Sequence, residues 1–166
     1  MAEFVSIDTS LPKEKVYEEM QQQIAALING EPDLTANLAN TVSVLNLGLP
    51  STTWVGAYVM KADELVLGPF QGKPACVRIS VGKGVCGTAV EKKQTVVVPD
   101  VSKFPGHIYC DPDSKSEIVV PIVANGIVYG VLDLDSNELN AYDDTDQKYL
   151  ESIAAMLVPY FERNYE

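Results

Sequence analysis

Three cysteines, Cys76, Cys86 and Cys110, are the side chains of this chain best suited to nucleophilic or redox chemistry. A thiolate attacks electrophilic sulfur and also binds metal ions, and an odd number of cysteines cannot form a fully paired disulfide framework. Structural zinc sites usually carry paired ligands about two to four residues apart, whereas these cysteines are widely spaced. His107, near Cys110, has no matching partner in the sequence. The spacing therefore argues against a metal site. The ordinary role of a single cysteine is that of a small buried hydrophobe, and it is the local context of Cys86 and Cys110 that favours thiol chemistry.

Two of the cysteines are candidates for the attacking thiol. Cys86 follows a glycine-rich stretch at the predicted start of a helix, with Lys83 nearby, and both features lower a thiol pKa. Cys110 lies in a polar loop beside His107, where exposure permits attack and later disulfide formation, although the neighbouring Asp111 should raise its pKa. Local electrostatics therefore favours Cys86, while His107 could serve Cys110 as a base or an orienting group.

A second group of candidate residues is acidic. Asp133 and Asp135 alternate along an apolar strand, so their side chains should point to the same side of a sheet. The hairpin signal Asn125-Gly126 would bring Glu117, on the preceding strand, close to both. Three converging carboxyl groups could bind a cation, bind an amine, or share a proton under mutual repulsion. The simpler alternative is a strand end that enters solvent with an acidic rim.

Helical spacing predicts the elements that begin and end the chain. Residues 13–29 form one predicted helix, and Asp33 is a plausible N-cap for a second. Asp143 or Asp144 is expected to cap a last helix, in which Pro159 should bend or shorten the end.

Strand-like runs rich in β-branched and aromatic residues occupy the middle of the sequence. They cover residues 53–59, 64–67, 76–79, 95–98, 118–122 and 127–132. A short helical segment is expected at 88–90, and residues 99–116 form a long loop that carries Cys110. The order predicts an α+β fold with a central antiparallel sheet and the N-terminal and C-terminal helices packed on one face.

Composition limits the possible functions. The 166 residues fit a single domain, residues 1–166 with a core at about 13–160. Twelve basic against 23 acidic residues give a net charge of −11, which repels nucleic acid. No apolar run approaches the roughly 20 residues of a membrane span, and no secretory signal is visible, so we expect a cytoplasmic protein.

Several motifs in series resemble those of the free methionine-(R)-sulfoxide reductases, which have a GAF-like domain. The matching segments are residues 54–58, 67–76, 82–89, 104–111, 114–121 and 130–136. Long motifs in a fixed order are far more specific than one short signature. The resemblance implies an enzyme that reduces the R-sulfoxide of free methionine, holds no bound cofactor, forms a homodimer and is recycled by thioredoxin.

The resemblance also implies roles for the cysteines. Cys110 would attack the sulfoxide sulfur and become a sulfenic acid, and Cys76 or Cys86 would then close a disulfide. This assignment disagrees with local electrostatics, which favours Cys86. One departure from the family pattern is Tyr109, where a smaller residue is expected.

The same resemblance implies how the substrate is held. Glu117 and Asp135 would bind the sulfoxide oxygen and Asp133 the ammonium group, while Trp54 forms an apolar wall for the methyl group and Tyr58 is a further contact. Two other functions use the same residues: a non-catalytic GAF sensor of a small molecule, and a redox-buffering protein whose thiols scavenge oxidant.

Overall fold

The computed structural model describes residues 6–164, and all its elements lie in that range. The helices are α1 (Lys13–Ile28), α2 (Leu34–Gly48), α3 (Gly84–Lys92) and α4 (Asp144–Arg163). The strands are β1 (Trp54–Lys61), β2 (Glu64–Gln71), β3 (Arg78–Ser80), β4 (Val96–Val98), β5 (Ser116–Ala124) and β6 (Ile127–Ser136). A short 3₁₀ turn covers Val101–Lys103. Within residues 6–164, no helix combines the length and apolar character that crossing a membrane requires.

The six strands form one antiparallel sheet in the order β3-β2-β1-β6-β5-β4. The hairpin between β5 and β6 turns at Asn125 and Gly126, whose φ values of +52° and +76° are those of a type I′ turn. Its register places Glu117 opposite Asp135 and Val119 opposite Asp133. The predicted antiparallel sheet and the predicted approach of the three carboxyl groups are both confirmed.

Helices α2 and α4 pack on one face of the sheet and α1 packs against both of them on that side, as predicted for the N-terminal and C-terminal helices. Their apolar sides share a core with strand residues such as Val55, Ile118 and Leu132. The predicted caps also form: the Asp33 side chain accepts a hydrogen bond from the Ala36 amide, and that of Asp143 accepts from the amides of residues 145 and 146. Local capping and helical spacing thus determine this layer.

Helix α3 packs on the opposite face of the sheet and forms a second core with β1, β5 and β6. Val85, Cys86 and Ala89 lie there against residues that include Tyr58 and Val119. Glycine is required at position 87, because a Cβ atom there would overlap the carbonyl oxygen of Ser80. The helix therefore lies close to the end of β3.

Several boundaries differ from those predicted. β2 continues to Gln71 because a bulge in its pairing with β1 accommodates Gly68 and Pro69. β3 begins only at Arg78, and α3 begins at Gly84, earlier than the predicted helical segment. Of the two predicted effects of Pro159, a bent or a shortened end of α4, the shortening is wrong: the helix continues to Arg163. Pro159 lies on the exposed side, where solvent can bond the carbonyl that it leaves without a partner.

Candidate active site

A cavity opens on the α3 face of the sheet, between β1, β6, α3 and the loop at residues 104–115, here called the Cys110 loop. Seven of the eight residues predicted for the site line it: Trp54, Tyr58, Cys86, Cys110, Glu117, Asp133 and Asp135. The eighth, Cys76, is covalently bonded to Cys110. Distant parts of the sequence therefore meet at one cavity.

A disulfide joins Cys76, in the segment between β2 and β3, to Cys110. The two Cα atoms lie 5.6 Å apart, a distance typical of disulfides. Cys86 is a buried free thiol. Of the two cysteines considered as partners of Cys110, the structure pairs Cys76 with it.

The expectation that Cys86 has a lowered pKa is wrong. Cys86 lies in the first turn of α3, as predicted, but it is only 3% exposed. Burial raises the pKa of its thiol well above the ordinary value, and the negative charges of Asp133, Glu117 and Asp135 raise it further. Burial and the charges of the nearby carboxylates raise this pKa by more than the helix N-terminus lowers it, so Cys86 is held as a neutral thiol.

Glu117, Asp133 and Asp135, the carboxyl cluster, form a buried acidic group beside Cys86. Burial, and then the charge of Asp135, raises the pKa of Glu117 to about 8. The pKa values of Asp133 and Asp135 are also raised, mainly by burial. The next cause is the charge of Glu117 for Asp133 and the charge of Asp133 for Asp135. Three such groups cannot all ionise in one buried space, so the cluster retains a proton at neutral pH.

One oxygen of the carboxyl cluster lacks a hydrogen-bond partner among the described residues. Asp135 Oδ1 accepts a bond from the Ser114 hydroxyl at 3.0 Å. Asp133 is 6% exposed, yet its Oδ1 has no hydrogen-bond partner among the described residues. A buried acceptor of this kind favours a ligand that brings a donor. Ligand atoms of Cys86, Glu117 and Asp133 lie within 4.8 Å of one another, so the same buried groups form one compact cluster of acceptors.

Trp54 and Tyr58 form an apolar wall of the cavity and also fix the segment that carries Cys76. Trp54 stacks on Phe70, with ring centroids 5.5 Å apart, and its Nε1 donates to the Lys73 carbonyl at 3.0 Å. The Tyr58 hydroxyl donates to the Cys76 carbonyl at 2.8 Å. The same aromatic residues therefore shape the cavity and position one half of the disulfide.

Sequence reasoning missed an ion pair that spans the disulfide. Lys73 Nζ lies 3.2 Å from an Asp111 carboxylate oxygen and 3.0 Å from one of Asp113. Lys73 precedes Cys76 and Asp111 follows Cys110, so the pair links the two segments that the disulfide joins. No local pattern relates residues this far apart in the sequence.

The contact between His107 and Glu117 was also missed. His107 Nε2 lies 3.2 Å from Glu117 Oε2, and the Tyr109 ring packs edge-on against the imidazole with centroids 4.4 Å apart. Burial lowers the pKa of His107. The nearness of His107 to Cys110 in sequence was the one available signal, and it pointed to the thiol rather than to the carboxyl cluster. Tyr109, the departure noted in the sequence, packs against this imidazole and is 54% exposed.

Known proteins resemble this chain in sequence and in structure. The GAF domain family model matches residues 33–157. The chain is 43% identical to the free methionine-R-sulfoxide reductase of Saccharomyces cerevisiae, covering 94% of this chain and 91% of the relative. It is 46% identical to the Escherichia coli protein of the same name, covering 87% and 88%. The structure of the free methionine-R-sulfoxide reductase of Neisseria meningitidis in complex with its substrate superposes with a TM-score of 0.92 at 45% identity, covering 98% and 97%.

Proposed function

Because this chain belongs to the free methionine-R-sulfoxide reductase family of GAF-domain proteins, we propose that it reduces the R-sulfoxide of free methionine to methionine. The observation that carries the proposal is the Cys76–Cys110 disulfide at the edge of a cavity lined by the carboxyl cluster. A disulfide is the product that a two-thiol reductase leaves after giving two electrons to its substrate.

The first chemical step transfers oxygen from substrate sulfur to Cys110. The Cys110 sulfur attacks the sulfoxide sulfur while Glu117, assisted by Asp135, protonates the oxygen. The substrate S–O bond and the transient bond between the two sulfurs both break, a bond between the Cys110 sulfur and the oxygen forms, and methionine leaves. The cysteine becomes a sulfenic acid, so it is oxidised by two electrons while the sulfoxide is reduced by two.

The second step closes the disulfide. The Cys76 thiol attacks the sulfenic sulfur of Cys110, and the hydroxyl leaves as water with the thiol proton. We assign Cys76 to this step because it is bonded to Cys110, whereas Cys86 is a buried free thiol held neutral by its surroundings. A dithiol protein of the thioredoxin type then restores both thiols.

Recognition of a free amino acid uses three parts of the cavity. The unpartnered Asp133 oxygen accepts a hydrogen bond from the substrate ammonium group, whose positive charge favours the carboxylate form of Asp133. Trp54 and Tyr58 contact the methyl group, and backbone amides of the Cys110 loop bind the substrate carboxylate. A methionine sulfoxide within a protein has no free ammonium for Asp133, so its reduction is disfavoured.

The test is NADPH oxidation coupled through thioredoxin and thioredoxin reductase, with three substrates in parallel. They are free L-methionine-R-sulfoxide, its S epimer, and a peptide that contains the sulfoxide. Turnover of the free R epimer alone is the expected result. Turnover of none of them would refute the reductase and favour a GAF sensor, and full turnover by Glu117→Gln or Asp135→Asn would refute the acid assignment.

Three further properties belong to this proposal. We infer a homodimer from the family resemblance, which light scattering coupled to gel filtration would measure. The cytoplasm is the proposed compartment, because a reducing environment keeps the thiols ready for turnover. A role in oxidative stress follows from the substrate, and it would appear as a need for this protein when free methionine sulfoxide is the sole methionine source.

A further inference from the structure

The His107 ring lies against the carboxyl cluster although the loop that carries it is largely exposed. Its side chain is 5% exposed and that of Glu117 is 8%, with Nε2 and Oε2 3.2 Å apart. The adjacent Gly106 has a φ of +73°, which turns the backbone, and the His107 amide donates to the Phe104 carbonyl. Nδ1 of the same ring is buried and has no hydrogen-bond partner among the described residues. One nitrogen is therefore committed to Glu117, while the other is available.

We propose that His107 is a positioning residue that orients the Glu117 carboxyl and passes a proton to it as that carboxyl protonates the sulfoxide oxygen. This inference rests on the proposed function, because it assigns the proton supply of the same reaction. The contact geometry suits this role, because Nε2 lies within hydrogen-bond reach of Oε2, and the imidazole tautomer that carries its proton on Nε2 donates to that oxygen.

The proton balance of the first step is met when His107 acts as a carrier. A thiol and a sulfoxide give a sulfenic acid and a thioether, with no net gain or loss of protons. The thiol proton leaves Cys110, and a different proton reaches the oxygen from Glu117. Imidazole can accept a proton at one nitrogen while it donates from the other. Nδ1 receives the proton that the thiol released, and Nε2 restores the proton on Glu117.

The charges around Glu117 favour this transfer. The titratable groups that face it are His107 from the Cys110 loop, Asp133 and Asp135 from β6, Cys86 from α3 and Tyr58 from β1. Apart from the imidazole, all of these are neutral or negative. A bare Glu117 carboxylate would therefore form next to other acidic groups in a buried space, which costs free energy. Proton transfer from His107 avoids that species.

Single-turnover release of methionine, measured with reduced protein and without a recycling system, tests the inference. His107→Ala should slow release by about 10- to 100-fold, and added imidazole should restore the rate in proportion to its concentration. His107→Gln retains a donor for Glu117 but transfers no proton and fills the space, so it should be equally slow and insensitive to imidazole. Lys103→Ala, on the exposed end of the preceding turn, is the matched control and should keep the wild-type rate.

The outcomes separate this inference from the reductase proposal. A wild-type rate in His107→Gln would overturn the proton transfer, because the glutamine can orient the Glu117 carboxyl but cannot pass a proton to it. A slow His107→Ala that imidazole does not restore would also overturn it, because it indicates a purely structural role. Binding of the substrate to each variant, followed by Trp54 fluorescence, shows whether the cavity is intact. Absence of methionine release from the wild-type protein would instead refute the reductase function itself.

Discussion

Glu117 on β5 and Asp135 on β6 are direct partners across the antiparallel ladder. Directly opposed residues on one sheet face have Cβ atoms about 4.5–5.5 Å apart, and like charges at that position repel. Both carboxyl groups line the same cavity, with Asp133 beside them on β6. The strand register therefore keeps at least one of these acids protonated, which is the state a proton donor needs.

We expect the contribution of Glu117 to the stability of the oxidised protein to fall as pH rises towards about 8 and then to level. The folded pKa of Glu117 is about 8, above its ordinary value of 4.5. Between these values the unfolded chain has lost the proton that the folded chain still holds, so the stabilising contribution present below about pH 4.5 is lost as pH rises through about 8. Glu117→Gln should reduce the slope by up to about 1.4 kcal/mol per pH unit.

Denaturant unfolding at several pH values between about 7 and 9 measures this slope, in a range where an ordinary imidazole is largely neutral. Glu162→Gln, at an exposed position near the end of α4, is the control and should keep the wild-type slope. An unchanged slope in Glu117→Gln would show that this carboxyl group has no raised pKa.

The cysteine variants should separate the two chemical steps. Cys110→Ser should release no methionine in a single turnover. Cys76→Ser should release one equivalent and leave a sulfenic acid on Cys110, because the partner that closes the disulfide is missing. Cys86→Ser should complete both steps, since Cys86 is free and buried. Methionine quantification and mass spectrometry of the trapped sulfenic acid measure these results, and methionine release from Cys110→Ser would identify Cys86 as the attacking thiol.

Binding of free methionine sulfoxide should change the fluorescence of Trp54. It is the single tryptophan of the chain, is 6% exposed and lines the cavity. Titration of Cys110→Ser gives a dissociation constant without turnover. Introducing Asp133→Asn into the Cys110→Ser variant should weaken binding by about tenfold or more, because a charge-assisted hydrogen bond to the ammonium group is lost. N-acetylmethionine sulfoxide, which lacks that ammonium, should bind weakly to both variants; equal affinity for the free and acetylated compounds would refute the role of Asp133.

Lys73→Met should make the Cys76–Cys110 disulfide less stable. The ammonium of Lys73 links the two bonded segments through Asp111 and Asp113. Exposed ion pairs are weak because solvent screens them, so the ratio of disulfide to dithiol in a glutathione buffer should fall by only about 1.5- to 5-fold. High salt screens the ion pair, so it should lower the ratio of disulfide to dithiol in the wild-type protein by a similar factor. Arg78→Met, which breaks an ion pair with Glu64, is the control; a wild-type ratio that is insensitive to salt would contradict the prediction.

Much of the fold could be predicted because its signals are local. Asp33 caps α2 through an amide three residues away, and Asp143 forms a capping box with Asp146. Asn125-Gly126 sets the hairpin, and the hairpin register then aligns Glu117 with the β6 carboxyl groups. Strand ends were less predictable, because pairing with a neighbouring strand extends β2 past turn-forming residues.

The chemistry of the site depended on packing that the sequence does not display. Cys86 has the local features of an activated thiol, but the packing of α3 against the sheet buries it beside three acids and reverses the expected shift of its pKa. The contact of His107 with Glu117 likewise follows from the path of a loop without regular periodicity. Residue types identified the reactive groups, while tertiary structure decided their ionisation.

The Cys76–Cys110 bond closes a covalent ring over a sequence separation of 34 that contains β3, α3, β4 and the short 3₁₀ turn. By the loop-entropy relation, a ring of this size restricts the unfolded chain enough to stabilise the native fold by about 4 kcal/mol. Linkage is reciprocal, so native packing favours the bond over two separate thiols by the same free energy. Substitutions that loosen the ring would make the bond easier to reduce, so melting temperature and reduction potential should change together across a variant series.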